Sequence, residues 1–207
     1  MDPNLQQPSG AIHAVPNAGI QSRPRIHHIW LVTGPAGCGK TTVAEHLSKS
    51  LHLPYIEGDS YHPPANIEKM GNGIPLTDAD RWDWLTLLRE EALRQLASGA
   101  QGVVLTCSAL KRKYRDVLRV APYFSHDIQL HFIYLSAPEA LLMQRVGLRQ
   151  GHYMGASMVH SQFEILEPPT AEETDVISID VSGPISGVLS EASKQVTEKI
   201  SEPVEQV

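Results

Sequence analysis

A chain of 207 residues is long enough for one domain with a sizeable core, and its length argues weakly against two. Hydrophobic residues at 42% and charged residues at 19% are ordinary for a globular protein and exclude a collagenous or wholly disordered chain. The formal charge of -6, with no long basic tract, speaks against a nucleic-acid partner, because phosphate backbones need a concentrated positive surface.

Residues 1–25 are rich in Pro, Gln, Asn and Gly and read as a flexible leader outside the fold. The start, MDPNLQQPSG, lacks the basic beginning and apolar stretch of a secretion signal, and Arg23 and Arg25 make a weak organelle signal at most. No apolar run approaches the length of a membrane span, so no membrane partner is expected. The two cysteines, Cys38 and Cys107, fall in a loop motif and at the end of an apolar run, which suits free thiols in a reducing compartment. A cytoplasmic enzyme is the simplest expectation.

From Ile26 the texture changes. IHHIWLVTG reads as a first strand, and TTVAEHLSKSL, with Val43, Leu47 and Leu51 at four-residue spacing, as the helix that follows a Gly-rich loop. LPYIEGD is a short second strand stopping at Gly58, and IEKM a short helix ended by GNG. Thr77 or Asp78 is expected to cap a helix running to Ser98, with Leu85, Leu88, Leu93 and Leu96 as its apolar stripe. GVVLTCS is a third strand, continuously apolar as a buried parallel strand should be. ALKRKYRDVLR is a basic helix with Leu110, Tyr114, Val117 and Leu118 on one side. LHFIYLS is a fourth strand, and PEALLMQRVGLRQ a helix with Pro138 at its start. GHYMG breaks the pattern, SMVHSQFEIL resumes a helix until Pro168, DVISIDV is a fifth strand, and an amphipathic helix follows from about Ser182. Strands alternating with helices indicate an α/β fold, a three-layer sandwich around a mainly parallel five-stranded sheet, over residues 26–201 with a short tail at 202–207.

Between the first strand and helix, GPAGCGKT matches the Walker A pattern, with Gly34, Gly39, Lys40 and Thr41 at the fixed places. Glycines let successive N–H groups turn inward, and the helix that follows directs its positive end at phosphates. Gly34, Pro35, Ala36, Gly37, Cys38, Gly39, Lys40, Thr41 and Thr42 are therefore expected to hold a nucleoside triphosphate, Lys40 reaching the outer phosphates and the Thr41 hydroxyl ligating Mg²⁺. Cys38 reads as a small loop filler rather than a nucleophile. The motif alone fits a GTPase or a motor ATPase as well as a kinase. The third strand carries no clear acidic residue for magnesium, which counts against the first two.

The acceptor side is expected just after the second strand, where parallel sheets bind ligands beyond the strands' carboxyl ends. Asp59 sits at that mouth and could take a proton from a substrate hydroxyl or simply shape a turn; Glu57 could hold magnesium through water or serve the structure. His62, Lys69 and Arg81 bring donors that suit a polyhydroxylated carboxylate. Ser108 and Lys111, at the end of the third strand, are candidates for substrate contacts. Trp82 and Trp84 read as packing residues. Arg112, Lys113, Arg115 and Arg119 look like a nucleic-acid patch at first glance, but one helix offers too little surface. Arg145, Arg149 and His152 flank the Gly-containing break, where a mobile segment could close over the phosphates or merely join two helices. His62 and His152 lack the tight spacing of a zinc site.

Together GPAGCGKT, EGDSYHPPANIEKMGNGIPLTDADRWDW, CSALKRKYRD, RQGHYM and SQFEILEPP, in this order, resemble the gluconokinase family, a shikimate-kinase-like branch of the P-loop small-molecule kinases. The resemblance covers roughly residues 29–200. It implies a P-loop fold with a helical substrate-binding insert and a lid, and ATP-dependent, Mg²⁺-assisted phosphorylation of D-gluconate to 6-phospho-D-gluconate. It gives Lys40 and Thr41 to ATP and magnesium, Asp59, His62, Lys69 and Arg81 to gluconate, and Arg149 and Gln162 to the lid or substrate edge. It leaves a homodimer open. One departure is Asp83, where many relatives have a proline before the tryptophan. The alternatives are a kinase for another hydroxy acid such as shikimate, a non-catalytic nucleotide-binding regulator and an RNA-binding NTPase.

Overall fold

The computed structural model describes residues 26–148 and 156–202. Its sheet contains β1 (His27–Thr33), β2 (Tyr55–Ile56), β3 (Gly102–Thr106), β4 (Ile128–Ser136) and β5 (Val176–Asp180). The strands lie in the order β2-β3-β1-β4-β5, and each of these pairings is parallel. The crossovers carry α1 (Lys40–Leu51), α2 (Pro64–Gly71), α3 (Trp82–Ala97), α4 (Arg112–Leu118), α5 (Glu139–Gly147) and α6 (Ala156–Ile165), and α7 (Ile185–Ser201) follows β5.

Parallel strands are joined by crossovers that put helices on both faces, so central strands must be apolar on both sides. β3 is buried throughout, and β1 from Ile29 to Thr33. On one face Trp30, Val32 and Ile133 pack with Val43 and Leu47 of α1 and Ala192 and Val196 of α7. On the other, Leu31, Leu105 and Phe132 pack with Leu85 and Leu88 of α3 and Tyr114 of α4. The odd-even split along β1 is what lets one strand feed two cores. The strand order, with β1 between β3 and β4, places the loop after β1 at the sheet's switch point.

Three elements differ from expectation. β2 is only two residues long, because the chain turns at Gly58 into a short 3₁₀ turn, Gly58–Tyr61. α3 starts at Trp82, four residues or more beyond Thr77 and Asp78, and neither caps it. Thr77 and Asp80 instead cap each other: Thr77 N–H donates to Asp80 Oδ2 (2.8 Å) and Asp80 N–H to Thr77 Oγ1 (3.4 Å). The charge at α3's start comes from Asp83 in its first turn, a favourable place for an acid. Leu110 is buried as expected but precedes α4, which spans Arg112–Leu118.

The basic helix α4 is not an open cationic face. Arg115 is buried and pairs with Glu173 through Nε and Nη2, both at 2.7 Å. Arg119 reaches Glu173, Asp175 and Asp116, Arg112 reaches Glu172, and Lys113 reaches Asp78. Charges that read as a patch in sequence are thus committed within the chain.

At the opposite end of the sheet from the phosphate loop, Trp30 stacks with His28 and His131, at 5.4 and 4.5 Å between ring centroids. Burial, reinforced by the neighbouring His28, pushes His131 down to about 4. A folded-state value below the unfolded value of 6.5 means that the unfolded chain binds the extra proton. The stabilising contribution is then complete above pH 6.5 and is lost as pH falls through about 4. Urea-denaturation free energies measured from pH 7.5 downward should hold level and then decline across this window. His131→Phe should remove about one proton's worth of that slope, and an unaltered slope would show that the His131 ring does not titrate there.

Candidate active site

β1 ends at the buried Thr33, and the chain turns through residues 34–39 into α1. Gly39, at φ 95°, occupies the N-cap position in the left-handed region, which a side chain would strain. No side chain caps α1 and no acid lies in its first turn, so its leading amides remain available to an anion. Lys40 folds back over the loop, its Nζ donating to the carbonyls of Gly34 (3.0 Å) and Pro35 (3.1 Å). Cys38 is buried beneath. Burial pushes its thiol up more than Lys40 pulls it down, which fits a packing role.

Glu57, immediately after β2, gathers hydroxyls from three elements. Thr41 Oγ1 of α1 donates to its Oε2 at 3.0 Å, the Tyr55 hydroxyl of β2 donates to the same oxygen, and Thr106 Oγ1 of β3 donates to Oε1. Burial raises this carboxyl, but the bonds from Thr106, Tyr55 and Thr41 outweigh it and hold the group below its ordinary value. The result is an anionic oxygen beside the Thr41 hydroxyl, a hard donor pair that fits Mg²⁺ completed by water and phosphate oxygens. Gly58 makes this meeting of strands feasible: its N–H donates to Thr106 Oγ1 at 3.0 Å, and an added Cβ would lie 1.9 Å from the Thr106 carbonyl oxygen.

Asp59, next in the turn, lines a cavity of about 380 Å³ together with the phosphate loop. His62 is buried with its Nε2 3.9 Å from Asp59 Oδ1, and its ring stacks on Trp84 at 3.9 Å. Trp84 is itself fixed by its Nε1–H donating to the Gly58 carbonyl at 2.8 Å. Burial, then the charge of Arg81, push His62 down to about 4, so the imidazole is neutral at neutral pH. Arg81 is buried, with Nη1 donating to the carbonyls of Leu76 and of Thr77 (3.0 Å). α6 closes the cavity with Met158, Ser161, Gln162 and Ile165, and Gln162 Oε1 accepts the Ala36 N–H at 2.7 Å.

Of the nucleotide residues expected from sequence, Ala36, Gly37, Gly39, Lys40, Thr41 and Thr42 line this cavity. On the acceptor side Glu57, Asp59, His62, Arg81, Ser108 and Gln162 do so. Lys69, Lys111 and Arg145 do not. Lys69 is drawn to Asp80 (2.6 Å), Lys111 to Asp78 (3.2 Å), and Arg145 Nη2 donates to the Val181 carbonyl (2.8 Å). Their donors are satisfied by partners that sequence spacing did not disclose. Arg149 and His152 lie outside the described residues.

Several supporting residues escaped the sequence reading. Trp84, expected to pack, also seats His62. Asn66 is buried and donates to the Asp80 carbonyl at 2.7 Å; its place four residues after His62 was the signal available. Tyr55 and Thr106, which hold Glu57, read only as strand residues until the register of β2 on β3 is known.

A parallel sheet carrying an uncapped phosphate loop, with an acid-bearing cavity beside it, is the layout of a P-loop kinase. A family model described as an AAA domain matches residues 29–166. A probable gluconokinase of Schizosaccharomyces pombe is 52% identical over 155 residues, covering 74% of this chain and 80% of that one. The thermoresistant gluconokinase of Escherichia coli is 39% identical over 164 residues, covering 79% and 90%. The crystal structure of a gluconokinase from Sinorhizobium meliloti 1021 matches with a TM-score of 0.72 at 39% identity, over 86% of this chain and 95% of that one. The chain belongs to the gluconokinase family.

Gly58→Ala should destabilise the protein by at least about 2 kcal/mol, because the clash is with backbone rather than with a flexible side chain. Urea denaturation of the variant checks this; wild-type stability would mean that β2 and β3 do not approach as closely as described.

Proposed function

We propose that the protein transfers the γ-phosphoryl group of ATP to the C6 hydroxyl of D-gluconate, releasing ADP and 6-phospho-D-gluconate. The observation that carries this reading is one cavity in which Lys40 and the phosphate loop face Asp59, His62 and Arg81. Gluconate as the acceptor follows from the family, and the cavity's chemistry supports it.

The loop amides and the Lys40 ammonium hold the phosphate chain. Thr41 and the anionic Glu57 would hold Mg²⁺, which when bound neutralises charge on the phosphate oxygens. Asp59 accepts a hydrogen bond from the acceptor hydroxyl, aligns it and takes its proton as the new P–O bond forms. His62 stays neutral beside it and therefore binds sugar hydroxyls without competing as a cation for the Asp59 charge. Arg81 supplies the positive charge that an acid substrate needs, in a form that carboxylates pair with well. The apolar side chains of α6 and of Trp84 keep water from the transferring group.

The setting is consistent with a cytoplasmic enzyme. Cys38 and Cys107 are both free and buried, and among the described residues no helix is long and apolar enough to cross a membrane.

Incubating the protein with ATP, Mg²⁺ and a panel of sugar acids, polyols and shikimate, with products read by mass, should give 6-phosphogluconate fastest. A clearly better acceptor would replace gluconate. Asp59→Asn should lower kcat about 100-fold or more while changing ATP affinity by no more than about twofold. Near-normal turnover in that variant would remove Asp59 from the reaction centre.

A further inference from the structure

The acceptor wall comes from an insert between β2 and β3. α2 and the loop 72–81 that leads into α3 contribute Met70, Pro75, Leu76 and Arg81 to the cavity. The bonds that shape this loop are mostly its own. Asp80 caps Thr77 and pairs with Lys69 of α2, Asn66 of α2 holds the Asp80 carbonyl, and Arg81 holds the carbonyls of Leu76 and Thr77. These contacts fix the loop to α2 but not to the sheet.

Asp78 faces the other way. Its Oδ1 accepts from Lys111 Nζ at 3.2 Å and from the Tyr114 hydroxyl, and its Oδ2 from Lys113 Nζ. All three donors lie at the start of α4 or just before it, and Tyr114 is buried in the core beneath α3. The Arg81 guanidinium lies over the same Tyr114 ring, 5.3 Å from its centroid. Lys113, Tyr114 and Lys111, in that order after the first, hold the Asp78 carboxyl far below the usual carboxylate range, so it is charged throughout the neutral region. An isolated exposed ion pair contributes little, whereas a carboxylate shared by two ammonium groups and an anchored phenol forms a network.

We propose that Asp78 is a positioning residue: by joining the insert to α4 it sets where Arg81 and the acceptor wall stand, and so controls acceptor affinity without touching the acceptor. The proposal rests on the reading of this cavity as the acceptor site. The nucleotide half is held separately, by α1 and by the Glu57 hydroxyl cluster, so the two affinities should come apart when Asp78 is altered.

The test uses full-length Asp78→Asn, which keeps the shape and removes the charge. The KM for gluconate should rise about tenfold, with kcat and the ATP Kd changed by no more than about twofold. With no acceptor present, amide hydrogen exchange in residues 64–80 should quicken about tenfold, because the insert opens more readily. Lys113→Met should move both readings the same way by less, since Lys111 and Tyr114 remain. An unchanged exchange pattern overturns the proposal whatever the acceptor is. So does an unchanged KM, or a KM that worsens only in step with ATP affinity and thermal stability. Should the wild-type protein fail to phosphorylate gluconate, the acceptor reading falls, and the exchange measurement still decides whether Asp78 seats the insert.

Discussion

One half-buried carboxylate joins the two halves of this cavity. Glu57 takes hydroxyl donors from α1, β2 and β3, and the residue after it begins the turn that carries Asp59 and His62. A carboxylate so enclosed would ordinarily be driven toward its neutral form, but three donors keep it charged. In the proposed reaction that charge serves the nucleotide side, and the same residue's place in the chain serves the acceptor side. The close approach at Gly58 is the geometric condition for both.

The arrangement explains how so short a strand as β2 can position both Glu57 and Asp59. Two residues of pairing place Tyr55 beside Val104 and Ile56 beside Leu105, which leaves Glu57 level with Thr106. Had β2 run on, Asp59 would have been held in the sheet rather than turned into the cavity. On the far side of β3, the turn at Ser108 is tied to β1 by the Thr33 hydroxyl donating to the Ser108 carbonyl at 2.6 Å. The buried Arg115 then holds the Ala109 carbonyl at 3.2 Å and the Glu167 carbonyl at 3.1 Å, linking this turn to the chain that follows α6. The cavity is therefore walled by strand ends that hydrogen bonds fasten to each other.

Much of this was legible from the residues alone. The apolar runs of β1, β3 and β4 betray strands buried on both faces, and the Gly-Lys-Thr run between a strand and a helix marks the phosphate loop. What escaped was fixed by particular partners, most of them distant in sequence. Lys69 and Lys111 are suitable donors for an anion, yet Asp80 and Asp78 claim them. Thr77 and Asp78 look like helix caps, yet Thr77 closes a turn with Asp80 and Asp78 reaches across to α4. The cationic run on α4 resembles a surface patch until Glu173, nearly sixty residues on, is found against Arg115. Local spacing reports which side chains could act, and long-range pairing decides which are left to do so.

The most direct test is a Mg²⁺ titration of ATP-dependent turnover in Glu57→Gln. The variant keeps the size of the side chain and loses its charge. If Glu57 anchors the metal side and orders the strand ends, half-maximal turnover should require at least about tenfold more Mg²⁺ than in the wild type, with a lower plateau. A titration curve superimposable on that of the wild type would contradict the account.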